Sequence, residues 1–378
     1  MSLYKHHAGA WVPISQVSSP TTSYRVSRAS VDVVATPPVN RAALVRGAYI
    51  PGPTTTGPLP HITSFTQLTG TQTLADNNIV LDGYEIWGQV LPRVISGNTP
   101  ILRNCILRGK PPAQYSTGLD GVIKAYGNGY GHITLENCII DPMGWFDVKG
   151  YDPTQMIHLR NTTAIHGSDY DMHWCEVTNV QDGLNIVGHT PRTSGGDPNE
   201  RWLEVDRSWI HKGYYMNPWS AVGDGQPHCD AIQTNTGKNL TFWGNMLGGQ
   251  RNMTGYQTWP GGYNSGDDFW NAGIMLQQEV NANYANLIEN VRIEDNVIGG
   301  GTASLNHSNK YSNPWTGLSI RRNRFLQRSS NWGQTLNNGN PTNQGAGYYI
   351  LRPSIFADRY SQNTILETGA NAPITNGA

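Results

Sequence analysis

Three acidic residues recur at one place in a repeated phrase, and they are the first candidates for chemistry. Asp120-Gly121-Val122-Ile123, Asp182-Gly183-Leu184-Asn185-Ile186 and Asp230-Ala231-Ile232-Gln233 share an acid or small residue followed by an apolar pair, and Ala272-Gly273-Ile274-Met275 repeats the phrase without the acid. If these phrases are strands stacked in register, Asp120, Asp182 and Asp230 form one column with neighbours about 5 Å apart. Carboxylates that close raise one pKa and leave an acid beside a base. That is how a glycosidase pair arises. His228 lies two residues before Asp230, on the same strand face, and could transfer a proton, as could His211 or Lys212. In a catalytic reading the residues are therefore Asp182, Asp230 and His228. The same strand end also supports a calcium site, where carboxylates and carbonyls converge. A third role is structural, since a carboxylate at a turn often accepts backbone N–H groups.

Two long segments beside these acids are rich in rings that carry a polar handle. Tyr214 and Trp219 lie between Ile210 and Asp230, and Tyr256, Trp259 and Trp270 lie between Leu247 and Gly273. Tyr and Trp faces stack on the CH faces of sugars, while Asn, Gln and Asp bond the hydroxyls. A carbohydrate groove walled by these five aromatics and floored by Asp182 and Asp230 is the expectation. The alternative is that the rings only pin long loops to the body of the protein.

The elements that must position these residues are read from a second phrase, an apolar alternation, an Asn and a short apolar run. It appears around Asn104, Asn137, Asn179, Ser208, Asn245, Asn296, Asn323 and Asn363, at spacings of 27 to 51 residues. Such irregular spacing excludes leucine-rich repeats and propeller blades. It fits a solenoid whose strands stack in register while its loops vary. The Asn is placed at the bend between strands, where left-handed backbone is least costly for Gly and Asn. Stacked amides there can bond to one another along the axis. The expectation is one inward-facing column of Asn104, Asn137, Asn179, Asn245, Asn296 and Asn323, with Cys105 and Cys138 stacked as small core fillers.

Composition narrows the partners. The 378 residues carry 26 Lys plus Arg against 27 Asp plus Glu, with only 14% charged residues and a net charge of -1. No field is left to gather nucleic acid or anionic lipid. No stretch is apolar for the length of a membrane span, and the first residues lack the apolar core of a secretion signal. The expectation is a chain made in a cytoplasm without a signal peptide, with no membrane insertion. The four cysteines Cys105, Cys138, Cys175 and Cys229 have no zinc-binding spacing and read as buried thiols, so no metal ligand and no certain cofactor is assigned.

Over residues 76–366 the phrases resemble the right-handed parallel β-helix proteins of the pectate-lyase-like class. The resemblance implies an all-β, right-handed parallel β-helix solenoid preceded by an irregular N-terminal arm. Polygalacturonase-like hydrolases of this fold carry Asn-Thr-Asp, a double Asp and Gly-His-Gly. The nearest strings here are Gln181-Asp182-Gly183, Cys229-Asp230-Ala231, Gly131-His132-Ile133 and Gly188-His189-Thr190. The double Asp and the Gly-His-Gly are missing, which speaks against hydrolysis by that constellation.

The chain divides into residues 1–75, a Pro/Thr/Ser-rich docking arm or cap; 76–366, the β-helix; and 367–378, a C-terminal tail. Together these features resemble minor tail, tail-tip and spike proteins of tailed bacteriophages. That resemblance implies a virion tail location, residues 1–75 joining other tail proteins, a host-surface glycan as ligand, and a homotrimer as an open assembly. The alternatives are a polysaccharide-degrading hydrolase or lyase and a purely structural tail spacer.

Overall fold

The computed structural model describes residues 51–52, 55–75, 79–93, 100–115, 120–125, 131–152, 159, 162–187, 203–211, 213, 230–234, 237–247, 272–278, 288–299, 303–309, 316–325, 359–366 and 369–372, and the backbone of 4–7, 10–13, 257–259 and 263–265. Through most of it the chain lays one short strand in each of three sheets and then repeats. Successive strands of the first sheet include Ile101–Arg103, Ile133–Glu136, Tyr170–His173, Leu203–Asp206, Gly237–Trp243 and Ile288–Glu294. The second sheet follows after a two-residue bend, with Ile106–Leu107, Ile139–Ile140, Glu176–Val177, Trp209–Ile210, Met246–Leu247 and Val297–Ile298. The third holds Asp120–Ala125, Thr162–Gly167, Asp182–Ile186, Asp230–Thr234, Ala272–Gln278 and Ala303–Asn309. All of these pair parallel with the equivalent strand of the next turn. The protein is thus all-β with three parallel sheets, an arrangement compatible with a parallel β-helix.

Alternation along the strands builds the core. Leu102, Leu135, Met172, Val205, Phe242 and Ile293 line up from the first sheet, Leu107, Ile140, Val177, Ile210, Leu247 and Ile298 from the second, and Ile123, Ile165, Leu184, Ile232, Ile274 and Leu305 from the third. All are buried in one cluster. Gly183 must stay without a side chain, because an added methyl would sit against the Ala231 carbonyl and Ile210.

The bend between the first and second sheets uses two residues, and this corrects the single Asn column expected. The first has left-handed backbone at Gly83, where φ is 74°, and at Asn104, Asn137, Trp174, Arg207, Gly244, Asp295, Arg322 and Gln362, with φ between 49° and 65°. The residue after it is buried and forms its own column of Cys105, Cys138, Cys175, Ser208, Asn245, Asn296, Asn323 and Asn363. Asn104 and Asn137 therefore stand one residue out of line with Asn245, Asn296 and Asn323. Asn179 belongs to a different bend, between the second and third sheets beyond the strand Glu176–Val177, where its Nδ2 donates to Asp141 Oδ1 at 2.9 Å. Asn suits both bend positions, as a left-handed residue and as a stacking amide, so residue type alone did not separate them.

The buried column is one continuous hydrogen-bonded spine. Asn245 Nδ2 donates to Asn296 Oδ1, Asn296 Nδ2 to Asn323 Oδ1 and Asn323 Nδ2 to Asn363 Oδ1, each at 3.0 Å. Each of these oxygens also accepts the backbone N–H of the preceding rung. Towards the N-terminus Ser208 Oγ accepts the Cys175 N–H at 3.0 Å, and Cys175 Sγ accepts the Cys138 N–H at 3.4 Å. Cys105 and Cys138 do stack, Cys175 extends the stack, and all three are free thiols. Burial pushes the Cys105 and Cys138 thiols well above their ordinary range, which suppresses the reactive thiolate. In the folded protein Cys105, Cys138 and Cys175 should stay unmodified by a maleimide that labels all three in denaturant. Peptide mass mapping reads this directly, and rapid native labelling of any of the three would contradict the packing.

Parallel pairing begins at Thr66–Thr69 and Gln72–Leu74, ahead of residue 76. This stretch is rich in Thr but carries no Asn phrase, which is why its strands do not announce themselves. Other parts of residues 1–75 also lie against the body. Gly57 N–H donates to the Trp174 carbonyl and Leu59 N–H to Asn104 Oδ1. The hairpin of Tyr4–His7 and Ala10–Pro13 pairs antiparallel with Val80 at the edge of the first sheet, where an unpaired edge would otherwise invite other strands. At the far end Thr364 bridges antiparallel to Asn371, and Ala372 N–H donates to the Asn363 carbonyl.

Candidate functional site

Register in the third sheet places Asp182 directly beside Asp230, and Asp230 beside Ala272. Asp120 does not join them. It pairs with Thr162, while Thr163 is the partner of Asp182, so Asp120 is one residue out of register and a whole strand away. The turn containing Thr162–Gly167 begins with two threonines instead of an acid, and its lack of the Asp signature hid it between the two phrases.

Asp182 and Asp230 are each only 1% exposed. Asp182 Oδ1 accepts the backbone N–H of Asp230 at 3.1 Å, the structural role open to a carboxylate at a strand start. Burial drives the Asp182 pKa up to about 7, against the smaller opposing effect of that N–H. Asp182 can therefore hold or release a proton near neutrality. Among the described residues no group of three or more His, Cys, Asp or Glu is placed to hold a metal ion.

Three residues beyond each acid, the third sheet presents a row that sequence reasoning passed over. Lys124, His166, Asn185, Gln233, Met275 and Asn306 are in register on six consecutive strands. They alternate with the buried Ile123, Ile165, Leu184, Ile232, Ile274 and Leu305, so the row faces away from the core. Lys124, His166, Gln233 and Asn306 are half-buried. Asn185 Nδ2 donates to Gln233 Oε1 at 2.9 Å, fixing both amides. Asn185 and Met275 are buried, so the partly exposed members of the row are Lys124, His166, Gln233 and Asn306. Its signal lay in the Asn and Gln that follow the two Asp phrases at equal distance.

The aromatic side chains expected to wall the site, Tyr214, Trp219, Tyr256, Trp259 and Trp270, lie outside the described residues, as does His228. Only the backbone strand Gln257–Trp259, paired antiparallel with Tyr263–Ser265, is described from that set. The roots of both segments are placed. One joins Trp209–Ile210 to Asp230–Thr234, the other Met246–Leu247 to Ala272–Gln278, and these strands are neighbours at both ends. His211, at the first root, is stacked on Trp209 with ring centres 3.4 Å apart, and its Nε2 is 2.8 Å from Glu176 Oε1. It is an anchored ring.

A second group of ionisable side chains gathers on the first sheet. His132 lies between Asp169 (Nδ1, 3.0 Å) and Asp171 (Nε2, 3.2 Å), and His173 Nδ1 is 2.9 Å from Asp206. Burial opposes charge on both rings, yet the flanking carboxylates outweigh it and carry both pKa values up to about 9. Asp206 is buried and Asp171 half-buried, and their histidine partners hold both below the usual carboxylate range. Arg207 adds a contact to Asp206 at 2.8 Å and lies over the Trp174 and Trp243 rings. These charges neutralise one another across neighbouring strands, and the group is a stabilising ladder. Arg322 is likewise engaged, with Glu294 and Asp295.

No protein-family model matches this chain, and neither a curated protein nor a solved structure is found to be similar to it.

Proposed function

We propose that this protein is a right-handed parallel β-helix of a tailed-bacteriophage virion, a minor tail, tail-tip or spike component. In this reading it binds host-surface carbohydrate on the outer face of its third sheet, and residues 1–75 join it to other tail proteins. The observation that carries the binding function is the partly exposed row Lys124, His166, Gln233 and Asn306, beside the roots of two Trp- and Tyr-rich segments on consecutive turns. Amides and charged groups in register bond hydroxyls, and aromatic faces stack on sugar rings. The virion assignment rests on the resemblance of the sequence alone.

One observation favours a second reading, a polysaccharide hydrolase or lyase. Asp182 keeps its proton to about pH 7 with Asp230 beside it, the pairing that general acid–base chemistry needs. A glycan array followed by product analysis separates the two. For a binder, Gln233→Ala should weaken the best array hit about tenfold, equivalent to roughly 1.4 kcal/mol, with no oligosaccharide released. Release of oligosaccharide by the native protein, abolished in Asp230→Asn, would install the enzyme instead. An array with no hit would leave the structural spacer.

A further inference from the structure

At its N-terminal end the second sheet finishes on a strand with one side bare. Thr66–Thr69 pairs parallel with Tyr84–Trp87 and is the terminal strand of its sheet, and Thr66, Gln67 and Thr69 are exposed. Thr66 N–H donates to the Gly83 carbonyl and Gly70 N–H to the Trp87 carbonyl. Alternate residues therefore turn their backbone groups to the inner rung, and Gln67 and Thr69 turn theirs outward. The Thr69 carbonyl accepts Gln72 Nε2 at 3.1 Å. The Gln67 N–H and carbonyl and the Thr69 N–H remain as one short open edge.

Neighbouring sheet ends are closed. The hairpin pairs with the first sheet at Val80, and Asn371 bridges to Thr364 at the far end of the second. Exposed edges are ordinarily guarded by charge, proline or a bulge, yet residues 62–74 contain no charged residue and no proline. The surface is also shaped for one strand. Two hairpin strands lie beyond Val80 on the first sheet, whereas a single strand lies beyond Tyr84–Trp87 and beyond Val90–Pro92 on the other two. The flat end of a second molecule meets this step before it reaches Gln67. Leu68, half-buried against the core, sits at the lip.

Resting on the reading that residues 1–75 join another protein, we propose that the edge at Gln67 and Thr69 takes up an extended, uncharged strand of that protein by β-augmentation. The strand's backbone bonds the open groups, and an apolar, β-branched side chain on its inner face covers Leu68. Because Gln72 closes the ladder at the Thr69 carbonyl, the contact needs only about four residues of the partner.

The test is fluorescence anisotropy of the full chain with one labelled probe, the capped hexapeptide Ser-Val-Thr-Val-Thr-Ser. Gln67→Pro removes an outward N–H, a change that an edge strand tolerates, and should weaken binding about tenfold. Gln67→Ala keeps that N–H and should bind like the native chain. The same probe N-methylated at alternate residues should not bind. Melting curves check that the variants are folded. Should Gln67→Pro fail to fold, hydrogen exchange of the native chain decides, and the probe should slow exchange in residues 62–74 and nowhere else. No binding, or equal binding to Gln67→Pro, would overturn the proposal and leave residues 1–75 to dock through other groups. A concentration-dependent dimer of the native chain that Gln67→Pro dissolves would overturn it by assigning the edge to a second copy. A virion in which residues 1–75 gain no protection from exchange would end the docking reading and the proposal with it.

Discussion

Asn296→Leu should lower the free energy of unfolding by about 3 to 6 kcal/mol, the largest effect expected of any single substitution in the spine. Asn296 sits in the middle of the amide column. Its Oδ1 accepts both the backbone N–H and the Nδ2 of Asn245, and its Nδ2 donates to Asn323 Oδ1 and the Phe242 carbonyl. Leucine has a similar volume but leaves those groups facing an apolar side chain in a place without water. The bend position gives the contrast. At Gln362, which is exposed and has φ of 57°, Gln362→Gly should change stability by less than about 1 kcal/mol, because glycine takes left-handed backbone without strain. Urea unfolding of the two variants checks both numbers. Equal losses at the two positions would mean that the columns do not differ as described.

Raising the pH from 6 to 9 should cost the protein a few kcal/mol of stability, through His132 and His173. Both have folded pKa values of about 9, above the ordinary 6.5. The stabilisation is therefore complete below about pH 6.5 and disappears as pH climbs towards 9. His132 faces Asp169 and Asp171; His173 faces Asp206, Asp171 and Glu136. Asp171 and Asp206 act in the opposite sense. Their depressed values give stability that is present above the usual carboxylate pKa and lost as pH falls through the folded values. These histidine–carboxylate pairs alone favour roughly pH 4 to 6.5. Asp182, whose folded pKa of about 7 lies above its unfolded value, removes stability as pH rises from about 4 to 7 and moves the maximum to the acid end of that range. Asp206→Ala strands His173 and Arg207 beside a hole, should remove about 3 kcal/mol at pH 6, and should flatten the decline towards pH 9. An unfolding free energy that is unchanged between pH 6 and 9 would contradict the charge assignments.

Much of the fold was legible because the repeat phrase records three physical demands at once, an inward apolar residue, a bend and a second apolar residue. Stacking of Cys105 over Cys138 followed from that phrase. The register around the bend did not, because asparagine satisfies two adjacent positions for different reasons. A shift of one residue between Asn137 and Asn245 leaves composition and spacing unchanged while exchanging the outer position for the inner. Asp120 was misplaced by a related cause. Thr162 and Thr163 open their strand without an acid, so the turn between Asp120 and Asp182 carried no mark. The row of Lys124, His166, Asn185 and Gln233 was hidden because its members are chemically unlike one another, and only the pairing of strands makes them a surface. His132 and Asp171 were hidden for the same reason, since they come together only when neighbouring turns stack.

The most direct measurement on the proposed function is a crystal structure of the full chain soaked with the tightest-binding oligosaccharide from the array. The expected result is sugar lying across the strands of the third sheet, in contact with Gln233. Sugar seated on the charged ladder of the first sheet, or on any surface away from that row, would contradict it.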